Sequence, residues 1–362
     1  MISQRLRAGF AAAGAAALLC CATAQASPQY HIAQTLQLPG EGGWDDMAFE
    51  SGGQRLFIAH GTRVDVIDTK SLVRAGEIPD TPGVHGIALA ADLGRGYISA
   101  GGAGTIVVFD LKTLARLKDI KATGENPDAI VYDAPTRRVF SFNGRGRNAT
   151  VIDAVSNEVI GTIALDAKPE FARSDGRGHV YVNLEDKSSI AVIDTKALTV
   201  LAVWPIAGCE EPSGLAIDTA GERLFPVCDN HVMAVVDARS GKVLGSAPIG
   251  EGADGAGYDP AARLAFASCG EGVLTAVSVA AHGAAHDAQS LKTERGARTM
   301  TLDEDSHRIF LVTADFGPPP PASAEHPHPR PSILPGTFRL LVIAPQGKSP
   351  GRHTPTVEGK GT

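Results

Sequence analysis

Seven aromatic residues, Phe57, Tyr97, Phe140, Tyr181, Phe225, Phe266 and Phe310, divide most of this chain into units of 40 to 44 residues. A self-similar period near 40 restricts the fold more than any composition figure does. One such unit is too small to bury its own apolar face and must stack against neighbours. The aromatics often stand two positions after an Arg, as at Arg55, Arg138, Arg223 and Arg308. A second ruler runs in parallel, with Val-Ile-Asp-like runs ending at Asp68, Asp110, Asp153, Asp194 and Asp237.

Aligned on the aromatics, every unit has the same grammar. A short strand starts ten residues earlier, at Met47, Ile87, Ile130, Phe171, Leu215, Ala256 and Met300. A turn rich in Asp, Gly and Pro follows, then the aromatic strand, the Val-Ile-Asp strand and an outer strand after an Asp-Thr-Lys or Asp-Ala-Arg-Ser-Gly turn. Four short antiparallel strands joined by tight turns make one propeller blade. The chain is therefore expected to be all-β, a seven-bladed β-propeller over residues 27–345. The seventh unit has no outer strand after Leu340–Ile343, and Tyr30–Leu36 reads as the strand that completes it and closes the ring, removing two open edges. Residues 316–337, with Pro318–Pro321, His326 and His328, read as a Pro/His-rich insert between the second and third strands of that unit.

The ends carry different signals. Arg5 and Arg7, the apolar Ala11–Leu19 run and the small-x-small site Ala24-Gln25-Ala26 read as a cleaved export signal over residues 1–26, placing the mature chain in the periplasm or outside the cell. Cys20 and Cys21 also raise lipid attachment, although the residue before Cys20 is Leu19 rather than a small one. The apolar run is too short for a good membrane span. Residues 346–362 are Gly/Pro/Lys-rich and expected to be disordered. The formal net charge of −7 opposes broad nucleic-acid binding by counterion release.

At this point the repeats resemble the YVTN-type β-propeller family, the YncE-like exported propellers, over roughly residues 44–344. The segments that carry the resemblance are Ile193-Asp194-Thr195, Glu211–Ala216, Gly272–Thr275 and Gly296–Met300. It implies a seven-bladed, exported protein of a group mostly without an assigned activity; separately, a monomer is expected. Some members are proposed to bind nucleic acid or sit at the cell surface; the acidic balance here opposes the first role and no anchor supports the second.

Chemistry is expected where loops are held by a rigid ring. The residues just ahead of the first strands form a ring at the channel mouth: Asp45, Asp46, His85, Asp128, Pro169, Glu170, Ser213, Asp254 and Arg298. The loops between second and third strands open on the same face and add His60, His231 and the insert histidines. Asp and Ser at such positions also cap turns, and the repeated Asp68 series reads as scaffold for that reason. The mouth residues Asp45, Asp46, His60, His85, Asp128, Glu170, Ser213, Asp254 and Arg298 are the candidate ligand-binding set. A divalent cation is the cofactor these donors would suit, with His85, Asp128 and Asp254 as candidate ligands. No Gly-x-Ser-x-Gly elbow and no phosphate-cradling Gly-rich loop ahead of a helix occurs. Cys209 and Cys228 both fall in the fifth unit and are expected to pair; Cys228 with Cys269 is the competing bridge.

Two functions follow. The first is a non-catalytic scaffold that binds a small ligand, a cation or a protein partner on its acidic, His-containing face. The second is a metal-dependent lyase or hydrolase at the same mouth. They part on whether His85, Asp45, Asp128 and Asp254 converge within metal-ligand reach.

Overall fold

The computed structural model describes residues 28–280, 285–321 and 331–347. Among them, apart from two single 3-10 turns, every element is a strand, and the strands form seven four-stranded antiparallel sheets. The inner strands of blades one to seven are Trp44–Glu50, Val84–Ala90, Pro127–Asp133, Pro169–Ser174, Pro212–Asp218, Ala253–Asp259 and Met300–Asp303. Blade seven is completed by Tyr30–Gln37, which pairs antiparallel with Arg339–Pro345 from Tyr30 opposite Pro345 to Gln37 opposite Arg339. The chain is thus a seven-bladed β-propeller closed by its N-terminal strand. The proposed leader, His326, His328 and most of the expected tail lie outside the described residues.

The apolar core is divided into seven clusters, each gathered largely from two neighbouring blades. The seven repeat aromatics are all buried, Tyr181 at 4% exposure being the least so. Each contributes about 1.5–3 kcal/mol through burial. Polar bolts reinforce the joints. The guanidiniums of Arg95, Arg223 and Arg308 donate from one blade to a backbone carbonyl of the next, at Ala154 (2.8 Å), Ala280 (2.6 Å) and Thr69 (2.9 Å). The last of these joins blade seven to blade one. Arg138 makes the same reach to Lys196 O, 2.9 Å.

The Asp68 series is scaffold. Each Asp Oδ1 accepts the backbone N–H groups two and three positions on, as in Asp194 with Lys196 and Ala197, both at 2.7 Å. The residue that ends each of these turns is left-handed: Leu72, Leu114, Asn157, Leu198 and Gly241, at φ 55, 61, 57, 59 and 72°.

Cys209 and Cys228 are bridged, their Cα atoms 5.4 Å apart, and Cys269 is buried and free. The base of the Pro/His insert forms a bridge between Phe316 and Ile333, and Phe316 packs 6.0 Å from the ring of Trp44. No helix of the described residues is long and apolar enough to cross a membrane.

Candidate functional site

In blades one to six the inner strands begin two or three residues earlier than the repeat pattern places them, which moves their mouth residues from loops into strands. Blade seven starts at Met300 as expected and leaves Arg298 ahead of its strand. Blade one pairs Trp44 with His60 and then Met47 with Ile58, so Asp45 and Asp46 stand opposite Ala59 alone. Blades two to five repeat this bulge, and blade six has a register shift at the same place. A bulge re-aims the side chains it carries and ends regular pairing. Here it carries Asp45 and Asp46, His85, Asp128, Glu170, Ser213 and Asp254. Side chains from the preceding blade's second strand hold the bulged backbone: Ser99 Oγ donates to Asp128 O, and Asn183 Nδ2 to Ser213 O (2.8 Å).

Three consecutive blades converge. His85 Nδ1–H donates to Asp45 Oδ2 at 2.6 Å and lies 3.7 Å from Asp128 Oδ1. Asp45, His85 and Asp128 each offer a ligand atom, and the three atoms lie within 4.8 Å of one another. Asp46, Glu170 and Arg173 line the same cavity. Burial alone pulls the His85 pKa down, but the Asp45 hydrogen bond and the charges of Asp128, Asp45 and Glu170 outweigh it and raise it to about 9. His85 is therefore the internal cation of a carboxylate cluster.

The carboxylates feel the opposite strain. Burial raises Asp46 to about 7, against the nearby Arg173 and with the help of Asp45. Asp128 and Glu170 are both raised, first by burial and then by like charge, Asp45 acting on Asp128 and Asp128 on Glu170. Lys168 bridges Glu170 (2.7 Å) and Glu185 at the rim.

Not every expected member joins this cluster. Asp254 stands apart, accepting from Ser213 Oγ and Arg298 Nε, both at 2.7 Å. Its expected part in a metal site is corrected on that ground, since both oxygens are engaged and Arg298 already supplies the countercharge. Ser213, Asp254 and Arg298 form their own trio at the mouth. His60 is also corrected. It is fully buried, its Nδ1 is 2.9 Å from Asp65 Oδ2, and its ring lies 3.9 Å from that of Phe338, so it packs in the joint between blades seven and one. His231 is exposed at a turn of blade five.

Lys168, Arg173 and Asn126, whose Nδ2 donates to Asp128 Oδ2 at 3.2 Å, shape the site and escaped the repeat analysis. Arg173 carried a usable signal. A cation on the inner strand of a crowded ring requires a facing anion, and Asp46 is that anion.

No family model matches this chain, and no curated protein does. Among solved structures, U3-55K superposes with a TM-score of 0.70 at 11% identity, over 87% of this chain and 99% of that one. At that identity the likeness speaks for the propeller fold alone.

Proposed function

We propose that this chain is an exported, monomeric, YVTN-type propeller whose channel mouth is a non-catalytic binding site for a divalent cation or a ligand's cationic group. The observation that carries this reading is the convergence of Asp45, His85 and Asp128 from three blades onto one point. Asp46 and Glu170 line the same cavity, and burial first, with like charge adding to it, holds Asp46, Asp128 and Glu170 above the usual carboxylate range. A bound cation would relieve this by taking over the role of the His85 proton. Two carboxylates and an imidazole are hard-to-borderline donors, suited to Zn²⁺ or Mn²⁺. The net charge of −7 keeps nucleic acid out of the proposal.

The same convergence favours a second reading. Three protein donors leave coordination positions open, which is the arrangement a metal-dependent lyase or hydrolase uses. Elemental analysis of protein purified from the periplasm without chelators, joined to calorimetric titration with Zn²⁺ and Mn²⁺, tests both. The expected result is one equivalent of ion, lost in Asp128→Asn and in His85→Ala. Protein that is metal-free and gives no binding heat with either ion would overturn the cation reading and the enzyme reading together.

A further inference from the structure

The joint between blades four and five differs from its neighbours. Blades two, three, five and seven start their second strand with an Arg that reaches the next blade: Arg95, Arg138, Arg223 and Arg308. Blade four has His179 at that position, and its Nδ1 turns to Asp175 of its own blade at 2.9 Å. A second filler is missing as well. The left-handed turn residue Leu114 packs onto blade one so closely that a Cβ on Gly76 would lie 2.5 Å from its Cδ1, and Leu198 packs on Gly161 of blade three in the same way, at 3.1 Å. Blade five puts Gly241 at that turn. With bolt and plug both absent, the joint holds a cavity of about 490 Å³ on the face opposite the channel mouth, within the usual size range of small-molecule sites.

The cavity has an aromatic wall. Trp204 occupies the outer-strand position that the register fills with Ile78, Ile120, Ile163 and Leu291 in other blades. Its indole lies where the plug would be, since a Cβ on Gly241 would come within 2.2 Å of its Cγ. Tyr181 stands 6.1 Å from it, ring to ring. The polar groups are unevenly committed. Asp218 is held by Arg223 and by the backbone N–H of Gly221 (2.9 Å), and Asp175 by His179. Arg177 and Arg239 line the cavity and share Glu222, at 3.6 and 3.2 Å, Arg239 also lies 4.0 Å from Asp237, and both side chains are more than half exposed. The uncommitted hydrogen-bonding capacity is therefore cationic donors beside a flat ring.

We propose that this groove binds a small aromatic carboxylate, its ring against Trp204 and its carboxylate on the guanidiniums of Arg177 and Arg239. Aromatic rings stack in offset pairs, and the guanidinium fork matches a carboxylate. The site is separate from the channel mouth and does not depend on the reading given to it.

The test is calorimetric titration of the full chain with benzoate, benzyl alcohol and acetate as probes. The Trp44→Phe variant leaves Trp204 as the reporter of two tryptophans, so fluorescence follows the same titration. The expected result is saturable benzoate binding, with benzyl alcohol and acetate each weaker by about tenfold or more. Arg177→Gln with Arg239→Gln should remove that preference, while Asp128→Asn at the mouth leaves it unchanged. Trp204→Leu should abolish binding while circular dichroism shows the chain still folded, because blade six already places Leu291 at the same outer-strand position. Absence of saturable benzoate binding, equal binding of benzyl alcohol, or benzoate binding that survives Trp204→Leu would each overturn the proposal.

Discussion

At the outer turns, Asp68, Asp110, Asp153 and Asp194 accept backbone hydrogen bonds that pull their pKa values down, and Asp237 follows them against the opposing pull of burial. At the channel mouth the same residue type behaves in reverse, with Asp46, Asp128 and Asp254 raised chiefly by burial. The turn carboxylates are shared by five blades and satisfied locally. The mouth carboxylates differ from blade to blade and crowd one another. A residue that most blades use in the same turn serves the repeat, and a buried, crowded charge that only some blades carry needs another explanation.

Four experiments break or sharpen this contrast. The largest effect belongs to the scaffold. Deleting Tyr30–Gln37 opens blade seven and exposes the Arg339–Pro345 edge, and denaturant unfolding should show a loss of about 4 kcal/mol or more. Next is Arg223→Ala, which strips the cation from Asp218, whose side chain is only 5% exposed. Breaking a buried pair in this way costs about 3 kcal/mol. Asp194→Ala removes two turn hydrogen bonds and should cost about 1 kcal/mol.

The smallest effect is the most diagnostic. Glu170→Gln should raise stability modestly at pH 6.5 and further at pH 9, because the penalty of a carboxyl held above its ordinary pKa starts at that ordinary value and grows until the folded one is passed. Asp46, Glu170 and His85 all have folded pKa values above their unfolded ones, so the folded chain holds the extra protons. The stabilisation from His85 is complete below about 6.5 and lost as pH rises toward 9, and the penalty on the carboxylates grows in the same direction. The wild-type melting temperature should therefore fall between pH 6.5 and 9, and more steeply than that of Glu170→Gln. A flat profile, or a mouth variant that unfolds like Arg223→Ala, would erase the distinction between mouth and scaffold.

The sequence carried the blade count and the strand that closes the ring, because burial of one aromatic per unit imposes a period that survives without any homologue. It also carried the mouth residues as strand-start positions. The bulge that aims them was hidden, since an extra residue opposite Ala59 leaves no mark on spacing measured from Phe57. His60 was misplaced because alternation along its strand turns it toward Phe338, and that partner is distant in sequence. Asp254 was misjudged because its two partners, Ser213 and Arg298, come from the blades on either side. The open joint was legible after the fact in His179 and Gly241, the two places where blades four and five break the rulers.

The closing strand has a consequence in time. Gln37 reaches across to Phe338, 301 positions later, where its Nε2 donates to the carbonyl at 2.9 Å. A chain is synthesised at about 5–20 residues per second, so roughly 15–60 s separate the making of these two partners. Throughout that interval six blades can stack while the first strand stays idle and a sticky edge stays open at each end of the arc. The strand made first is thus among the last to find its partner, and every chain passes through some tens of seconds in which its ring cannot yet close.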